Sequence, residues 1–175
     1  MTALYLALSC LFVNGTHGYL LWSQRATRQW SISVHAARTA GTYAFYVVGH
    51  LLGGLFFLLF AYQLFVTTYQ VVWLFTLACV TVAFEYAQAM LPAAGKTELG
   101  HTIAAYVMWS LFISTGVLAL FVLPASLNRQ LIAGLFMGAT LAIFIYAHFN
   151  HKKLYIQQMA MVGFFYAGLF ALAIH

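Results

Sequence analysis

Apolar residues in this chain fall in long unbroken runs, without the alternation of a half-buried strand or the narrow stripe of a soluble amphipathic helix. Six runs stand out, at about 2–22, 41–66, 71–91, 102–123, 130–149 and 154–174. A bilayer hydrocarbon core of about 30 Å is crossed by about 20 apolar residues of helix, so each run predicts a transmembrane helix. Strands of a transmembrane barrel would alternate, and these do not. Pro92 and Gly95 punctuate the end of the third run and Pro124 the end of the fourth. The run at 2–22 has no basic leader and no A-x-A-like exit, so it reads as a span and not as a signal peptide. The expectation is an all-α polytopic membrane protein, a single bundle of six transmembrane helices over 1–175 with short loops.

Composition agrees and narrows the class. The chain is 65% hydrophobic and only 5% charged, against about 45–50% and about 25% in soluble domains. A soluble globular enzyme and a disordered chain are both excluded. The seven Lys and Arg residues outweigh two Glu, giving +5, but the cations sit in the connections. Arg25, Arg28 and Arg38 follow the first span, Lys96 the third, and Lys152 and Lys153 the fifth, whereas Arg129 alone lies after the fourth. The positive-inside rule therefore places loops 23–40, 92–101 and 150–153 in the cytoplasm (matrix or stroma in an organelle), with both termini on the opposite side. A bacterial or organellar inner membrane fits this pattern, and nucleic acid is not an expected partner. The polar, basic stretch 23–40, with Trp30, reads as an interfacial segment or an ordinary loop.

Polar groups inside a span are expensive and usually face the bundle interior. Asn14 and His17 share a face of the first span. His50 lies near the middle of the second, beside Gly49 and Gly53, whose small-xxx-small spacing lets another helix approach. Gly134 and Gly138 repeat that spacing in the fifth span and predict a second helix contact. Thr81, Glu85 and Gln88 form one stripe of the third. His101 opens the fourth span, His148 and His151 close the fifth, and Gln157 and Gln158 open the sixth. With the orientation above, all of these polar groups fall in the cytoplasmic half, while His35 and His175 stand apart.

Glu85 is the leading candidate, because a carboxylate inside a bilayer is protonated, paired or hydrated. His17 and His50 are its expected partners. The alternative role for this group is a hydrogen-bonded clasp between spans.

Three functions fit. The first is transport or permeation of a proton, cation or small solute through a site of Glu85, His17, His50, Asn14, Gln88 and Thr81, with no cofactor required. The second is a membrane-embedded redox protein or enzyme holding haem b or a transition metal on donors drawn from His17, His50, Glu85, His101, His148 and His151, with Tyr46 and Gln88 behind them. The third is an accessory subunit of a larger membrane complex or a homo-oligomer, its partners being the bilayer and other membrane chains. Cys10 and Cys79 are isolated, so no dithiol chemistry is expected, and the chain contains no Asp for an aspartyl protease and no lysine within a span for a retinal Schiff base. Ser114 and Thr115 read as groups bonded to their own helix backbone.

Overall fold

The computed structural model describes residues 1–23, 31–93, 95–150 and 154–173 and is helical throughout these residues, apart from turns and caps. The elements are α1 (Thr2–Ser23), α2 (Ile32–Ala36), α3 (Ala40–Ala61, continued by a π-helical stretch Tyr62–Thr68), α4 (Val72–Met90), α5 (Glu98–Val122), α6 (Leu127–Phe149) and α7 (Leu154–Ala173). Six helices are long and apolar enough to cross a membrane. The fourth span begins earlier than its apolar run, because Glu98 forms the first turn of α5, where a carboxylate suits the helix dipole. Two tight reversals need left-handed backbone, at Gln70 (φ 57°) before α4 and at Gly95 (φ 63°) before α5.

The spans close into a ring in chain order, α1–α3–α4–α5–α6–α7, with α7 returning to α1. The seam between α5 and α6 is the loosest in that ring. Leu20, Ile32, Ala36, Tyr46, Ala89 and Tyr155 pack together at one end. That end also carries Arg38 and Lys96, and is called the basic end here. A larger apolar cluster fills the rest of the interior. Within it Phe57, Phe112 and Phe165 stack about one another, with ring centroids 5.2 Å (Phe57–Phe112) and 5.0 Å (Phe112–Phe165) apart. Phe121, Leu135 and Phe149 are 82%, 76% and 79% exposed, an apolar surface suited to lipid.

Glycines set how closely helices approach. A Cβ on Gly49 would lie 2.0 Å from Thr16 Oγ1, and one on Gly53 would lie 2.5 Å from Val13 Cγ2. Here α3 and α1 touch backbone to side chain. Gly134 and Gly138 have nothing within 4 Å of a built Cβ, which corrects the expected contact at that spacing.

The segment at 31–36 is neither an interfacial helix nor an exposed loop. Ile32, Ser33, His35 and Ala36 are buried, so α2 folds in under the basic end. Ser31 caps it through Val34 N–H, and the Ile32 N–H donates to Gln158 Oε1 (2.9 Å). Residues 24–30, with Arg25, Arg28 and Trp30, lie outside the described residues. His35, expected to stand apart, packs edge-on against Tyr155 (5.6 Å between centroids). The Tyr155 hydroxyl in turn donates to the His17 carbonyl, tying α7 to α1. Replacing Tyr155 with Phe removes that bond and leaves the ring in place. The expected cost is about 1 kcal/mol, read as a lowered thermal midpoint in detergent.

Candidate functional site

Between the basic-end cluster and the phenylalanine stack lies a layer of polar side chains supplied by α1, α3, α4 and α5. His17, His50, Glu85, Gln88 and His101 are all buried. His50 is at the centre. Its Nδ1 is 3.0 Å from Glu85 Oε1, and its Nε2 is 3.2 Å from His17 Nε2. The Tyr46 ring, one turn earlier on α3, leans on the His50 ring with centroids 4.4 Å apart. Its hydroxyl donates to Gln88 Oε1 (3.1 Å).

The partners fix the direction of these bonds. When Glu85 is ionised, His50 Nδ1–H must donate to it. His50 Nε2 is then a lone pair, so His17 Nε2–H donates to His50. His17 Nδ1 is left as a bare acceptor, and it is buried with no partner among the described residues. When Glu85 carries a proton on Oε1, both bonds reverse, and an unpaired N–H appears at His17 Nδ1. The two imidazoles thus form a continuous hydrogen-bonded chain from the carboxyl to the far side of His17.

His101 Nδ1 lies 2.8 Å from both the Gln88 and the Leu91 carbonyls, the free acceptors at the end of α4. It must donate, so in the neutral ring Nε2 is again an acceptor. Its burial places it among the interior histidines, deeper than its position at the opening of the fourth span implies.

These groups border a cavity with about 70 Å³ of space for the centre of a water molecule, room for a few waters. Apolar wall is supplied by Met108, Trp109, Phe112, Val162, Phe165 and Tyr166. A larger cavity, about 390 Å³ by the same measure, lies toward the basic end of the α5–α6 seam. The two share Ser33, His101, Ala105, Trp109 and Gln158 as wall. Away from the basic end the polar layer meets the phenylalanine stack. Phe57 is seven residues beyond His50 on α3, about 10 Å further along the axis.

The remaining sequence candidates fall elsewhere. Asn14 is half-buried and donates to Cys10 Sγ (3.1 Å) on its own helix, away from His17. Thr81 is buried but donates to the Leu77 carbonyl (2.8 Å) one turn back. Thr115 does the same with Leu111 (2.8 Å), as the sequence implies. His148 is exposed at the α5–α6 seam, where its Nδ1 meets the Tyr106 hydroxyl at 3.1 Å. His151 and His175 lie outside the described residues. The wider donor set expected for a metal or haem is therefore spread over separate places. Among the described residues no three His, Cys, Asp or Glu side chains converge as metal ligands.

Sequence reasoning missed Ser9 and Tyr166. Ser9 Oγ donates to the Gly53 carbonyl (2.8 Å) and so accepts from the Tyr166 hydroxyl (2.6 Å). That pair links α1, α3 and α7, and Tyr166 borders the inner cavity. The available signal was the spacing of Ser9, Thr16 and His17, which puts them on one side of α1.

Compared with protein-family models, curated proteins and solved structures, the chain finds no match in any of the three.

Proposed function

We propose that this protein moves a proton, a cation or a small solute across its membrane, with Glu85, His50 and His17 as the loading site. The observation that carries the reading is the chain of hydrogen-bonded titratable groups beside an interior cavity. A carboxylate in that setting has a mechanistic use for exchanging its proton that a purely apolar bundle lacks. Gln88 and Tyr46 line the site and are hydrogen-bonded to each other. The wide cavity at the α5–α6 seam is the approach, and the phenylalanine stack is the barrier on the opposite side. By the positive-inside rule the approach opens to the cytoplasm.

Reconstitution tests this. Under an imposed pH gradient, vesicles holding the protein and an interior pH dye should change pH faster than protein-free vesicles. Equal rates, with the protein inserted and folded, would leave the polar layer as a clasp within a subunit of a larger assembly. An optical spectrum and elemental analysis of the same preparation test the haem or metal alternative, in which Glu85 would hold the Nδ1–H of a metal-bound His50. A Soret band, or about one equivalent of iron, copper or zinc, would favour it.

A further inference from the structure

We infer that the inner cavity is built for a small organic cation bearing N–H donors on an apolar body, a protonated amine. This rests on the transport reading and names the class of its solute.

Charge points first to a cation. Among the described residues no Lys or Arg lines either cavity, whereas Glu85 borders the inner one. Among the described residues only Oε1 of that carboxylate is engaged, by His50.

Hydrogen-bond polarity then separates a donor from a quaternary or inorganic ion. His101 is committed by its two carbonyl partners to presenting Nε2 as an acceptor. Tyr166 spends its hydrogen on Ser9 and retains a lone pair. Tyr46 spends its own on Gln88. The charged group and these assigned groups therefore all offer lone pairs. The wall donors, such as the Trp109 indole, are neutral.

The walls favour an organic cation. Trp109, Phe112 and Phe165 beside a carboxylate suit an aromatic or aliphatic ammonium, through ring faces and apolar contact. They would not replace the hydration shell of a sodium or potassium ion.

The test is binding to the detergent-purified full chain, by titration calorimetry at neutral pH. The probes are benzylammonium, benzyltrimethylammonium, benzyl alcohol and potassium. Benzylammonium should bind saturably, with one site per chain. The quaternary analogue, which keeps ring and charge but has no N–H, should bind at least tenfold more weakly. Benzyl alcohol and potassium should be weaker still. Glu85→Gln should weaken benzylammonium at least tenfold. The probe series is read on the unaltered protein, so the outcome does not depend on that variant's folding. No saturable binding of the amine, equal binding of the alcohol, or equal binding of the quaternary analogue would each overturn the inference. Amine binding with no benzylammonium uptake into vesicles holding the protein would uphold the ligand class and overturn transport. Proton flux without amine binding would do the reverse.

Discussion

Glu85→Gln is expected to remove pH-driven flux while leaving a folded, inserted protein. The amide oxygen of Gln can accept the His50 Nδ1–H bond that Glu85 Oε1 now accepts over 3.0 Å. The direction of the His50–His17 bond is then preserved, and so is the packing of α1 on α3. What disappears is the charge and the exchangeable proton. Interhelical polar contacts in membranes average about 0.6 kcal/mol, so the thermal midpoint should move little. Loss of a group that takes and gives the transferred proton is worth about 100-fold or more in rate. A variant with full flux and a lowered midpoint would instead make Glu85 a structural clasp. Glu85→Ala is the less informative change, because it strands the buried imidazole N–H without a partner.

The second large effect is on folding, and it is expected at Gly49 and not at Gly134. Gly49→Ala drives a methyl group to 2.0 Å from Thr16 Oγ1 and 2.9 Å from Thr16 Cβ. Rotating the threonine moves Oγ1 but not Cβ, so α1 and α3 must separate. Overpacking of this kind costs about 1–3 kcal/mol. Because His17 follows Thr16 and His50 follows Gly49 in the chain, the same displacement stretches the bond between the two imidazoles. Flux should therefore fall along with stability. At Gly134 nothing lies within 4 Å of an added Cβ, and Ala there should be neutral or stabilising by up to about 1 kcal/mol, through helix propensity. Thermal unfolding of the two variants in the same detergent checks the contrast. Equal midpoints would mean that the α1–α3 approach is looser than described.

The glycine pairs show where sequence reading reaches its limit. Gly49 with Gly53 and Gly134 with Gly138 have the same spacing, yet only the first pair meets a neighbouring helix. Spacing records that a face can be approached, not that one is. The apolar runs placed the spans well because the bilayer imposes both length and polarity on a helix. It imposes no contrast between the lipid-facing and inward-facing sides, both of which are apolar. Periodicity therefore could not tell which side of α1 faces inward. Spacing alone groups Asn14 with His17 for that reason, whereas the inward side runs through Ser9, Val13, Thr16, His17 and Leu20. Glu85 and Gln88 were legible because burying them against lipid would be so costly. His35 stands apart from the polar layer as the sequence implies, but its burial was not legible, because α2 is too short, at 5 residues, to leave a periodic trace. α2 packs against α1 and α3, and Tyr155 of α7, distant in the chain, covers the His35 ring.

The most direct test of a titratable relay exploits a property of the composition. The only side-chain carboxylates are Glu85 and Glu98, and there is no Asp. Infrared difference spectra of the protein in membranes, recorded between acidic and alkaline buffers, can therefore be assigned with two substitutions. A protonated-carboxyl stretching band should appear and disappear reversibly with pH, survive Glu98→Gln and be absent from Glu85→Gln. No pH-dependent carboxyl band lost in Glu85→Gln would mean that the carboxyl is fixed in one state, and that it fastens helices together without moving a proton.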